Sequence, residues 1–266
     1  MPPPDDAQDV VNCAMQGGSR GASLDVSHGA FHGSLQAIAA TLAIPLTAQH
    51  ADTLLAYLAL LQRWNGTYNL TAVRDPAQML AQHLADCLAV VGPLRRYCGE
   101  TPCRLLDVGS GGGLPGVVIA ALNPQIDVTC VDAVGKKAAF VRQVAAELRL
   151  RNLHAEHVRV EHLKSPTFHV VTSRAFASLA DFTRLTRPHL TDEGAWMAMK
   201  GKHPADEIEA LSANVEVFHV EQLTVPGLDA ARCLVWMRPA GGLPGGIPDG
   251  VPDGVPDGLS AEPASL

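Results

Sequence analysis

The chain has 266 residues, 47% of them hydrophobic, with 20 basic against 27 acidic side chains and a formal charge of −7. That composition supports one large core with a small appendage, and no apolar run is long enough to span a membrane. The excess charge sits at the ends: residues 1–30 hold four acids and Arg20, residues 241–266 hold four acids and no base, and the body between is neutral, which excludes indiscriminate adhesion to nucleic acid.

The opening Met-Pro-Pro-Pro-Asp-Asp has neither the basic region nor the apolar run of a signal peptide, so a cytoplasmic protein is expected. Six cysteines, at 13, 87, 98, 103, 130 and 233, form no CxxC pair and read as free thiols in a reducing compartment. Residues 1–30 are small, polar and without periodicity, and are expected to be disordered. A helical segment over 31–98 follows. Leu54, Tyr57, Leu58, Leu61 and Trp64 recur at helical spacing, which predicts a helix from Thr47 to Trp64. Asp75-Pro76 is an N-cap followed by a first-turn proline, and Met79, Leu80, Leu84, Leu88 and Val91 form the buried face of the next helix.

From residue 99 to 240 strands and helices alternate. Strands are expected at 104–108, 126–131, 155–160, 168–173, 195–199, 215–220 and 232–237. Helices are expected at 115–122, 135–149, 178–187 and 204–213. This pattern predicts an α/β fold with a mostly parallel sheet covered on both faces. The last two strands have only a loop between them, so one should run antiparallel at the edge. The tail 241–266 repeats Pro-Asp-Gly at 248–250, 252–254 and 256–258, which makes turns and offers no face to bury.

The most informative stretch is Arg104-Leu-Leu-Asp-Val-Gly-Ser-Gly-Gly-Gly-Leu-Pro-Gly116. A strand that turns through glycines into a helix brings bare backbone and a helix N-terminus up to a ligand. Gly111, Gly113 and Gly116 spell the dinucleotide GxGxxG, but the frame set by the strand end is Gly109-x-Gly111-x-Gly113 with Asp107 just ahead. An acid there suits a cation such as the sulfonium and amine of S-adenosylmethionine, and repels a pyrophosphate. Asp132 ends the next strand about 20 residues on, where a carboxylate for ribose hydroxyls is expected. The plainer readings are a loop-capping acid for Asp107 and a surface acid for Asp132.

Further pieces lie in order along the chain: Trp64-Asn65, Asn69-Leu-Thr-Ala-Val-Arg-Asp75, His83-Leu-Ala-Asp86, Gly135-Lys136, Arg159-Val-Glu161, Ser173-Arg-Ala-Phe-Ala-Ser178, Lys200-Gly201 and Val225-Pro226. With the glycine turn, they resemble the bacterial ribosomal RNA small-subunit methyltransferase G family over roughly residues 50–238. The resemblance implies a Rossmann-like class I S-adenosylmethionine-dependent methyltransferase fold with a seven-stranded sheet. It implies methyl transfer to N7 of a guanine in the decoding-region loop of 16S ribosomal RNA, within a small-subunit particle. A monomer without metal or membrane is expected. Positions 66, 87, 169 and 233 depart from the family's common residues, being Gly, Cys, His and Cys here.

By the same resemblance, cofactor contacts fall at Gly109, Leu114, Val160, Glu161 and Arg174, beside Gly111 and Asp132 from the residue reading. Arg174 also carries a positioning role in catalysis. Candidates for RNA contact are Arg74, His83, Phe176 and Lys200; the plainer readings are a half-buried helix residue for His83, core for Phe176 and solvated surface for Lys200. His154, His157 and His162 match no metal-ligand spacing. Two other classes share these features: a small-molecule or protein methyltransferase of the same fold, and a non-catalytic adenosyl-binding ribosome assembly protein.

Overall fold

The computed structural model describes residues 24–174, 176 and 178–241, so the Pro-Asp-Gly repeats and residues 1–23 lie outside the described residues. Helix α1 (Leu24–Thr41) begins inside the stretch read as lacking structure. Its register is set by Leu35 and Ala39, which are buried, with Phe31, Ile38 and Leu42 packed beside them. Helix α2 (Ala48–Tyr68) is capped by the Thr47 hydroxyl, which accepts from His50 N–H, and ends at Asn69 in the left-handed region. Asp75 caps α3 as its spacing predicts. This helix runs Pro76–Met79, widens into a π-helical stretch at Leu80–Ala85, and closes as Asp86–Leu88. A widened turn of that kind is common near functional sites. Helix α4 (Val91–Cys98) leads into the sheet.

The sheet and its helices follow as β1 (Cys103–Val108), α5 (Gly116–Leu122), β2 (Ile126–Asp132), α6 (Gly135–Glu147), β3 (Leu153–His157), β4 (Phe168–Ser173), α7 (Leu179–Thr186), β5 (Leu190–Lys200), α8 (Ala205–Glu209), β6 (Val215–Leu223) and β7 (Arg232–Pro239). The strand order is β3-β2-β1-β4-β5-β7-β6, a seven-stranded, mostly parallel α/β sheet with helices on both faces. The central strands are apolar throughout because both faces are covered. Leu105, Val128, Val170, Ala195 and Trp236 face the α2–α5–α6 side. Leu106, Val131, Val171, Trp196 and Val235 face the α7 side.

Three expectations are corrected. The antiparallel strand is β7, and it is not at the edge: it inserts between β5 and β6 and pairs antiparallel with both. The reason is burial. Residues 233–237 are all buried, whereas β6 is half-exposed along its length and takes the rim. The third strand ends at His157 instead of 160, because the chain turns into a 3-10 segment at Val160–His162 that buries Val160. The fourth expected helix of this region shrinks to Ala205–Glu209.

Order reverses between β1 and β4, which places the switch point of the sheet at the carboxyl ends of β1, β2 and β4. Open α/β sheets bind ligands there.

Candidate active site

The glycine turn is held from three directions. Gly109 (φ 67°) donates its N–H to Val131 O at 2.8 Å, and Gly111 (φ 58°) donates to Asp132 Oδ2 at 3.0 Å. From below, the buried Tyr57 hydroxyl donates to Gly112 O at 2.7 Å. Gly116 fits for a different reason: a Cβ there would lie 2.5 Å from Cys130 Sγ and 2.9 Å from Asp107 Oδ2, so only glycine lets α5 approach the sheet this closely. Around Gly109 and Gly111, by contrast, a Cβ would meet nothing within 4 Å. Their backbone opens onto the cleft, and their positive φ favours glycine all the same.

Asp107 does not face that cleft. It is fully buried, and its Oδ2 accepts from Gly116 N–H at 2.9 Å. The strand pleat decides this: Leu106 and Val108 point to the α7 side, so Asp107 points with Leu105 beneath α5. The loop-capping reading therefore holds, and the cation-facing one is overturned. Burial pushes the Asp107 carboxyl up to about 7, against a downward pull from the Gly116 N–H and then from Arg174.

Asp132 is where the spacing puts it, at the end of β2 and 7% exposed. Oδ2 accepts from Gly111 N–H, Oδ1 accepts from Val134 N–H at 2.8 Å, and Lys137 Nζ lies 3.8 Å away. Each oxygen retains a second lone pair. A cleft of about 280 Å³ opens beside it, lined by Gly109, Asp132, Val158, Val160, Glu161 and Phe176. His189 Nε2 bonds Val160 O at 2.7 Å and fixes that wall. Glu161 is exposed, and its carboxyl is held low, first by a backbone N–H and then by Arg159.

A second, smaller cleft of about 160 Å³ shares Gly109 and continues past Ser110, Gly111, Leu114, Thr71 and Arg174. A third, of about 380 Å³, shares Arg174 and adds His83, Asp86, Lys200 and Arg232. Expected cofactor residues thus line the first two, and Arg174 stands where the second meets the third. Its Nη1 donates to Gln82 O at 3.2 Å and to Asp86 Oδ2 at 3.3 Å, while Arg232 Nε donates to Asp86 Oδ1 at 2.8 Å. One buried carboxylate orients two guanidinium groups.

His83 sits on the π-helical stretch, 4% exposed, with Nε2 2.9 Å from Thr71 Oγ1 and with Nδ1 unpartnered among the described residues. Burial, then Arg174, lowers its affinity for a proton. Asn65 pins the same loop, accepting from Thr71 N–H at 2.9 Å and donating to Val73 O at 3.1 Å. Sequence reasoning missed Tyr57, Thr71 and Arg232. Tyr57 belonged to a helical apolar stripe, and nothing local distinguished it from core.

Lys200 lines the third cleft, and of its two readings the solvated-surface one does not hold. Its Nζ donates to Glu207 at 2.7 Å and 3.0 Å and its side chain is 14% exposed, so it is an enclosed ion pair and not a solvated cation. The same Glu207 accepts from Leu179 N–H at 2.8 Å, which locks α8 against the start of α7. Phe176 is half-buried against Phe182, ring centroids 5.3 Å apart, and also lines the first cleft. Arg74 is exposed and donates to Asn69 Oδ1 at 2.9 Å, outside all three clefts. Tyr68 is half-buried against the core, its ring 5.2 Å from that of Trp64.

Comparison with known proteins matches residues 50–235 to the family model described as rRNA small subunit methyltransferase G. Among curated relatives, ribosomal RNA small subunit methyltransferase G of Leptothrix cholodnii is 65% identical over 206 residues, spanning 77% of this chain and 94% of that protein. The protein of the same name from Methylibium petroleiphilum is 60% identical over 203 residues, covering 76% and 92%. That from an Acidovorax species is 57% identical over 222 residues, covering 80% and 98%.

Proposed function

Because this chain belongs to the rRNA small subunit methyltransferase G family, we propose that it transfers a methyl group from S-adenosylmethionine to N7 of a guanine in the decoding-region loop of 16S ribosomal RNA. The observation that carries this reading is the row of clefts along the sheet's switch point, joined through Gly109 and Arg174. A flat nucleoside suits the first, between the apolar Val158, Val160 and Phe176 and the polar Asp132. The open backbone at Gly109 and Gly111 leaves room for the rest of an adenosyl group. The third cleft takes the target base.

When bound, S-adenosylmethionine supplies a methyl on a positively charged sulfur, which is displaced by a nucleophile in line with it. Asp132 holds the ribose hydroxyls through its spare lone pairs, and Val160 and Glu161 border the adenine. Arg174, fixed by Asp86 and Gln82 O, sits at the junction and positions the guanine. Guanine N7 is a bare acceptor on the major-groove edge and loses no proton on attack. The transfer therefore needs alignment and exclusion of water more than a general base. The carboxylates around the glycine turn accord with this: Asp107 is sealed beneath α5, and both oxygens of Asp132 are engaged by backbone N–H groups.

Incubating the full chain with methyl-labelled S-adenosylmethionine and small-subunit particles, then digesting the RNA to nucleosides, tests the reading. Label in 7-methylguanosine is expected. Label in another nucleoside would reject N7, label in protein or a small molecule would reject the RNA substrate, and tight cofactor binding with no transfer would point to an assembly role.

A further inference from the structure

Cys98 ends α4 and Cys103 begins β1, with only the exposed loop 99–102 between them. Their Sγ atoms lie 3.0 Å apart. The chain on both sides is anchored. Gly99 (φ 61°) donates to Arg95 O at 2.9 Å, and Thr101 Oγ1 donates to Cys98 O at 2.8 Å. Cys103 is registered against Ile126 in the sheet, and its N–H donates to Gln125 O. The backbone on both sides of the pair is thus fixed by its own hydrogen bonds. Cys98 is half-buried and borders the exposed loop, while Cys103 is 5% exposed. Cys87, Cys130 and Cys233 differ from this pair: each is fully enclosed in the core, and none has a second sulfur beside it among the described residues.

We propose that Cys98 and Cys103 form a reversible oxidation site, at which hydrogen peroxide converts the dithiol to a disulfide. The Cys98 S–H points at Cys103 and lowers the pKa of that thiol, so Cys103 is the first nucleophile. Its thiolate attacks one peroxide oxygen, the O–O bond breaks, and Cys103 becomes a sulfenic acid as the departing hydroxide takes up the proton that the Cys103 thiol released and leaves as water. Cys98 sulfur then attacks Cys103 sulfur. The S–O bond breaks, the hydroxide takes the Cys98 proton, and a second water leaves. Two thiols and one peroxide give one S–S bond and two waters; the sulfurs lose two electrons and the peroxide gains them. The site lies at the opposite end of β1 from the glycine turn, so methyl transfer is not its readout.

Both cysteines fall on one tryptic peptide, residues 97–104, which makes the test direct. The full chain is treated with hydrogen peroxide, alkylated under denaturing conditions, digested and weighed. The expected result is a 97–104 peptide lighter by two hydrogens and unalkylated, restored to two alkylated thiols by dithiothreitol. In Cys98→Ser, Cys103 should instead be trapped as a sulfenic acid by dimedone. Peroxide that leaves both thiols alkylatable, links a different pair, or carries either cysteine to sulfinic acid without the cross-link would overturn the proposal.

Discussion

Replacing Asp107 with asparagine should change how stability depends on pH. The folded carboxyl titrates at about 7 against 3.8 for an unburied one, chiefly through burial. The folded state thus holds this proton more tightly than the unfolded state. Its stabilising contribution is complete below the unfolded value and is lost as pH rises through the folded one. Each pH unit in that window costs about 1.4 kcal/mol, so the whole window is worth on the order of 4 kcal/mol. Asparagine keeps an oxygen for the Gly116 N–H, which Asp107 Oδ2 accepts at 2.9 Å, and cannot ionise. Its amide N–H₂ is left unpaired in the core, a penalty of about 1–3 kcal/mol that does not vary with pH. Asp107→Asn is therefore the less stable protein near about pH 4.5, and the gap closes and then reverses toward about pH 8. Urea unfolding followed by far-ultraviolet circular dichroism across that range measures it. Parallel curves for the two proteins would refute the buried-acid reasoning.

Other substitutions probe the site piece by piece. Asp132→Ala should weaken S-adenosylmethionine binding by about 1–3 kcal/mol in calorimetry, because the ribose loses its acceptor and Gly111 N–H its anchor. Tyr57→Phe leaves Gly112 O without its donor and should lower stability by about 1–3 kcal/mol, as read by thermal unfolding. Gly116→Ala should cost about 1–3 kcal/mol through overpacking against Cys130 and Asp107, measured the same way. Arg232→Met frees one side of Asp86; it should raise KM for ribosomal RNA while leaving the cofactor dissociation constant within about twofold, since base positioning and cofactor binding use different clefts.

What was legible in the chain was what local chemistry dictates. The strand, glycine turn and helix at 103–122, the Asp75 cap, and Asp132 at the end of β2 all follow from residues within a few positions of one another. Side-chain direction was harder. Asp107 precedes the glycines in sequence, but the pleat turns it under α5. Long-range pairing was harder still: β7 lies between β5 and β6 because its five consecutive buried residues need two neighbours, a preference that no single segment displays. Lys200 reads as a free cation until α8 folds back and brings Glu207 onto it. The start of helix α1 at Leu24, ahead of the boundary expected at residue 31, was hidden because Asp25-Val-Ser-His-Gly-Ala30 shows no apolar periodicity.

The central claim is that a guanine N7 in 16S ribosomal RNA receives the methyl group. The measurement that bears on it most directly is chemical mapping of 7-methylguanosine along 16S ribosomal RNA from cells with the gene, without it, and with it restored. The account predicts one modified guanine in the decoding-region loop, lost on deletion, regained with the intact gene and not with an Arg174→Ala copy. The same modified guanine in all three strains, or a loss confined to some other nucleoside, would contradict it.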